Sequence, residues 1–176
     1  MEVIAKTKIN HEAVEAMVYA SIFKKKNPKV FGVIFVVAAV IFFMATIAMA
    51  IIDPESDYYS ILKTVAIILM TWAFIYFRLP KISYKQMGKV AESENYYVFS
   101  DVGISVTNEG DCSHGESEYT YEAIERVIET KKYFFIFINK AQAYIVAKDG
   151  ITNGSAEDLR SILSKVGDKR YILSKY

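Results

Sequence analysis

From Val30 to Ile52 the chain runs 23 residues without a charged side chain, and this run limits the fold more than any other feature. At roughly 1.5 Å per residue, a helix of that length crosses a hydrocarbon core about 30 Å thick. A core helix of a soluble domain would carry a polar stripe along one side. This segment has none, so a membrane-spanning helix is expected. A second run, Tyr58 to Phe77, contains one charge, Lys63, near its start. A lysine there can stretch its aliphatic stem toward the interface while the rest of the segment spans. Tyr58 and Tyr59 at one end and Trp72, Tyr76 and Phe77 at the other suit the headgroup zones.

Only "DPESD", residues 53–57, separates the two runs, so they must lie antiparallel as a hairpin over 30–77, with spans 30–52 and 58–77. Lys24, Lys25, Lys26 and Lys29 precede the hairpin, and Arg78, Lys81, Lys85 and Lys89 follow it; the loop holds Asp53, Glu55 and Asp57 and no basic residue. Basic residues stay on the cytoplasmic side, which predicts cytoplasmic N- and C-termini and an external loop. A Ser56→Cys variant should then react with an impermeant thiol reagent added from outside. The start of the chain, "MEVIAKTKINHEAVEA", has acids and no apolar core, unlike a cleavable signal.

The flanks divide further. Residues 1–29 read as a short strand over 2–9 followed by an amphipathic juxtamembrane helix with Asn10 as its cap and Val14, Met17, Val18 and Ile22 on one face. Residues 78–94 read as a basic linker helix, with Pro80 marking the end of the second span. From residue 95 the apolar period shortens to two. The stretch 95–176 carries ten Lys/Arg against twelve Asp/Glu, the balance of a water-soluble domain. Strands are expected in "YYVFSDVGISV" and near 116–121, 125–130, 132–139 and 142–147, forming an antiparallel meander. "YFFIFI" is apolar on both faces and should be covered on both. In "NGSAEDLRSILSKVG", Ser155 can cap a helix whose Leu159, Ile162, Leu163 and Val166 form one stripe, closed by Gly167. The fold class is a membrane α-helical hairpin plus an α+β soluble domain: an antiparallel sheet or barrel, with one C-terminal amphipathic helix, in the order seen in pleckstrin-homology (PH)-like domains.

The chemistry of catalysis is thin. Cys112 is the only cysteine, and His11 and His114 are the only histidines. Cys112 and His114 share the turn "EGDCSHGES", but two ligands fall short of a zinc site. No metal, cofactor or catalytic residue is expected, and the chain is read as no enzyme. The carboxylates from Glu116 to Glu129 alternate with apolar residues and are read as a solvated sheet face. A net charge of +1 gives no general attraction to nucleic acid.

The quoted segments "YYVFSDVGISV", "EYTYEAIERVIETKKYFFIFI", "AYIVAKDGI" and "GSAEDLRSIL", behind two N-terminal spans, resemble the YcxB-like family of bacterial membrane proteins along nearly the whole chain. That resemblance implies a two-span protein of the bacterial cytoplasmic membrane with a PH-like cytoplasmic domain and no assigned activity. Two expectations about function follow. In the first, the chain is a membrane-anchored binding or scaffold module, offering its sheet edge or an aromatic face of Tyr133, Phe135 and Tyr144 to a protein partner at the inner leaflet. In the second, it is a small protective membrane protein, an immunity factor against a toxin or bacteriocin, with the hairpin as its working part. Beyond the bilayer and a protein partner, a homo-oligomer is left open.

Overall fold

The computed structural model describes residues 2–23, 28–87, 94–110, 113–140 and 142–174. The chain forms two units, one of Met1–Lys26 with Ser83–Tyr176 and the other of Asn27–Ile82.

The second unit is the hairpin. Helix α2 (Pro28–Ile52) and helix α3 (Asp57–Met87) are both long and apolar enough to cross a membrane; the end of α3, from Ser83, belongs to the other unit. Large apolar side chains such as Val33, Ile41, Met44, Ile67 and Phe74 point outward with more than half their surface open, whereas the small residues Ala39 and Ala66 are buried. Gly32 marks a close approach: a Cβ there would come within 2.9 Å of the Tyr76 ring. Thr46, Thr64 and Thr71 donate their hydroxyl protons to the carbonyls of Phe42, Ser60 and Ile67 at 2.7 to 2.9 Å. That satisfies each hydroxyl within its own helix. In the loop, Ser56 caps α3 by accepting from the Tyr59 amide at 3.2 Å, with Asp57 in the first turn, where an acid complements the helix dipole.

Pro80 does not end this helix as expected. It is buried inside α3, which continues to Met87. A proline removes its own N–H and one hydrogen bond, a loss that long helices of this type accommodate. The expected linker therefore contributes its first ten residues to α3, and its next six lie outside the described residues.

Among the described residues, the other unit holds two sheets, two α-helices of its own and the end of α3 from Ser83. Strand β1 (Val3–Lys8) is followed by α1 (His11–Phe23), whose Ala13 amide is capped by the Asn10 side chain at 2.8 Å. After the hairpin come β2 (Glu94–Phe99), β3 (Gly103–Gly110), β4 (Ser113–Thr120), β5 (Arg126–Glu129), β6 (Tyr133–Phe137), β7 (Ala143–Ala147) and β8 (Ile151–Asn153). Helix α4 (Ala156–Leu163) and β9 (Tyr171–Leu173) close the chain. The five-stranded sheet has the order β4-β3-β2-β1-β8 and the four-stranded sheet β7-β6-β5-β9. All pairs are antiparallel except β5 with β9, which is parallel. The single meander expected from residue 95 is thus two sheets, and the unit begins at the N-terminus: β1 pairs β2 from Val3↔Phe99 to Lys8↔Glu94.

Alternation along each strand sends Val3, Ala5, Tyr97, Phe99, Ile104 and Val106 of the first sheet toward Val127, Phe134, Ile136 and Val146 of the second. Leu159, Ile162, Leu163 and Val166 complete this core. The cap of α4 is reciprocal, with Ser155 Oγ accepting from the Asp158 amide at 3.1 Å and Asp158 accepting from the Ser155 amide at 3.0 Å. Where the chain crosses from β7 to β8, Gly150 lies against the Lys6 carbonyl so tightly that no Cβ fits, and Thr7 Oγ1 accepts from the Ala147 amide at 3.0 Å. These contacts hold β1 to the junction between the sheets.

Candidate functional site

The second sheet is buried on both faces, as "YFFIFI" implied: all five residues of β6 are buried. Phe134 and Ile136 enter the core described above. On the opposite face, Ile128, Phe135 and Ile145 are paired across β5, β6 and β7 and are buried as well. Helix α1 lies along this face, with its own Ala13 and Val14 buried. Its Glu12 pairs Lys132 at 2.6 Å at one end, and its Met17 and Val18 share a cavity wall with Phe137 and Ala143 at the other.

This arrangement corrects the expected aromatic recognition face. Tyr133 and Phe135 stack at 5.7 Å and are 8% and 0% exposed, so they are core to the sheet and α1, closed to a partner. Tyr144 lies on the other face because its register partner is Ile136. There its hydroxyl meets Tyr119 Oη at 3.1 Å and accepts from Gln142 Nε2 at 3.2 Å, tying β4 to β7. Burial, followed by the Tyr119 contact, pushes the Tyr144 hydroxyl up to about 12. The expected edge remains open at β4, but its exposed Glu116 and Glu118 are charges that discourage pairing with another strand.

Glu129 is the second correction. Instead of facing water with Glu116, Glu118, Glu122 and Glu125, it is 1% exposed. Its Oε1 accepts from Lys148 Nζ and Arg160 Nη2, each at 2.6 Å, and its Oε2 accepts from Arg160 Nε at 2.9 Å and from the Tyr171 hydroxyl. Burial opposes ionisation of this carboxyl, but the bonds from Arg160, Lys148 and Tyr171 outweigh it and bring the group down to about 2. Burial and the Glu129 carboxylate together raise the Tyr171 hydroxyl. Alternation held the clue, since Glu129 is two residues from Val127 and therefore faces the same core. Every polar atom of the carboxylate is engaged, so the cluster ties β5, β9 and α4 together and presents no reactive group.

One opening among the described residues is a groove of about 480 Å³. Met17, Val18 and Ser21 of α1 form one wall and Ser83, Gln86 and Met87 of α3 another; Arg126, Phe137 and Ala143 of the sheet, with Lys140 and Gln142 of the β6–β7 turn, complete it. The Arg126 guanidinium carbon lies 4.2 Å from the Phe137 ring centroid, a cation–π contact that holds the charge at this corner of the sheet. Its Nε is buried without a hydrogen-bond partner among the described residues. Among the described residues no carboxylate lines the groove. Sequence reasoning missed it because α1, the end of α3 and the β6–β7 turn meet only after folding.

Of the basic residues expected to flank the membrane, Arg78, Lys81 and Lys85 project from α3, with Arg78 5.2 Å from the Phe74 ring. Lys24, Lys25 and Lys26 lie outside the described residues, as do Cys112 and the side chains of Lys29 and His114. His11 meets the Tyr84 ring edge-on at 5.3 Å. Among the described residues no group of three or more His, Cys, Asp or Glu could hold a metal ion.

A family model described as YcxB-like protein matches residues 113–163, the stretch from β4 through α4. The match agrees with the resemblance drawn from the sequence and takes in both Arg126 and Glu129; the apolar helices and β1 to β3 lie outside it. No curated protein and no solved structure matches the chain significantly.

Proposed function

We propose that this chain is a membrane-tethered binding module: α2 and α3 span the bacterial cytoplasmic membrane, and the β-rich unit acts at its inner face without a catalytic step of its own. The observation that carries the reading is the pairing of β1 with β2. These strands precede and follow the hairpin, so both ends of the hairpin return to one folded unit. If the hairpin spans, they must emerge on the same side. Arg78, Lys81 and Lys85 after the second span, against the acids of the loop, support the cytoplasm as that side. The order of sheets followed by one capping helix supports a PH-like arrangement, a fold type suited to holding a binding surface in place. The reading of the chain as an immunity factor has no structural observation in its favour.

Because Ser56 caps α3, the topology test is better made at Glu55, which is exposed. Glu55→Cys in intact cells should react with an impermeant maleimide from outside while Cys112 reacts only after lysis. Labelling of Cys112 in intact cells with protection at position 55 would overturn the orientation. Photocrosslinking from the rim of the groove, at Gln86, should then trap a partner at the membrane; crosslinks obtained equally from an exposed site elsewhere, such as Glu122, would count against a dedicated surface.

A further inference from the structure

We infer that the groove between α1, the last turns of α3 and the Arg126–Phe137 corner of the sheet binds the phosphate headgroup of an anionic phospholipid. Three observations converge. The first is charge: among the described residues the lining holds Arg126 and Lys140 and no acid, in a chain whose acids nearly balance its bases at 20 against 21. A groove whose described charges are both cationic, and whose wall is partly apolar, concentrates anions. The second is an open valence. Arg126 Nε is buried and lacks a hydrogen-bond partner, and neither Arg126 nor Lys140 has an ion-pair partner among the described residues. Buried donors are rarely left unmet, and a guanidinium can match the paired oxygens of a phosphate.

The third observation selects the lipid over a soluble phosphate. Met17, Val18, Met87 and Phe137 make part of the lining apolar, which suits a glycerol backbone and the first carbons of an acyl chain and wastes itself on a free anion. Met87 and Gln86 also end the helix whose earlier turns are long and apolar enough to cross a membrane. The cavity, about 480 Å³, lies in the range of roughly 300–1,000 Å³ typical of small-ligand sites. The inference rests on the reading of α2 and α3 as membrane spans, but not on their orientation.

The test uses the full chain in a nonionic detergent, titrated with dioctanoyl-phosphatidylglycerol, dioctanoyl-phosphatidylcholine and inorganic phosphate, with bound lipid counted by native mass spectrometry. Phosphatidylglycerol should bind one molecule per chain, at least about tenfold more tightly than either other probe. Arg126→Gln with Lys140→Gln should weaken it by about tenfold or more, the scale of losing charge-assisted hydrogen bonds. Lys131→Gln with Lys169→Gln removes the same charge away from the groove and should leave binding unchanged. Lys140→Gln alone, at an exposed position that folding does not need, should give an intermediate loss. Equal binding of the two lipids, equal loss in both double variants, or no loss in either would overturn the site. Inorganic phosphate displacing the lipid at equal concentration would overturn the lipid as its ligand. Glu55→Cys labelling is independent of this titration, so failure of the membrane reading and failure of the site are told apart.

Discussion

Replacing Glu129 by Gln removes one charge and leaves the shape of the side chain almost intact. In the wild type the carboxyl has been brought from 4.5 to about 2. Each tenfold change in proton affinity is worth about 1.4 kcal/mol, so the unscreened contribution of the ionised form is about 3 kcal/mol. Arg160 is 44% exposed, and water screens its share, which reduces the figure to about 2 kcal/mol. Lys148 is only 18% exposed. Without the carboxylate it would be left 4.8 Å from the Phe134 ring as a poorly compensated charge, a loss that moves the cost upward toward about 3 kcal/mol. The effect should be local, with amide hydrogen exchange at β5 and β9 faster by the corresponding factor of about thirty to a hundred and fifty. The sign with pH is set by the depressed carboxyl: its contribution is complete above about 4.5 and is lost as pH falls from there toward 2. The Gln variant should lack that acid-sensitive component. Exchange within twofold of wild type, or an identical acid profile in the two proteins, would refute the assignment of Glu129 as the charge that binds β5, β9 and α4.

Other outcomes follow from packing and caps. Phe135→Ala empties a fully buried site and should cost about 3–5 kcal/mol in denaturant unfolding; a variant as stable as wild type would restore Phe135 as a surface residue. Gly150→Ala forces a Cβ into the Lys6 carbonyl, so exchange protection of β1 and β8 should fall together, and a silent substitution would argue against the sheet junction drawn here. Ser155→Ala removes one half of the reciprocal cap and should destabilise α4 by about 1 kcal/mol; Ser155→Asp should recover most of it.

What the sequence made legible was local. The two long apolar helices were readable from runs almost without charge, and α4 because its cap and its apolar stripe agree. The caps at Asn10 and Ser155 were both named by residue type and spacing alone. Pairings between distant segments left no such mark. β1 gives a strand pattern but no clue that its partners are β2 and β8, while β8 and β9 have three residues each, too few to establish a period. The same gap explains the aromatic face: alternation along β6 is plain, but whether Phe135 meets water or α1 depends on where a helix from the other side of the hairpin settles. Glu129 was misread because acids are exposed far more often than buried, and the cations that permit its burial come from elements 19 and 31 residues away.

The pairing of Val3 with Phe99 and of Lys8 with Glu94 also orders events in time. The first strand leaves the ribosome before the hairpin exists, yet its antiparallel partner is made only after both apolar helices have been synthesised. Until then β1 and α1 have no sheet to join, and their apolar faces must wait. On the proposed membrane reading, insertion of the hairpin would precede this pairing, and the finished sheet acts as a buckle. Once β2 has zipped onto β1, the two ends of the hairpin are joined by a ladder of hydrogen bonds, and drawing one helix away from the other requires opening that ladder first.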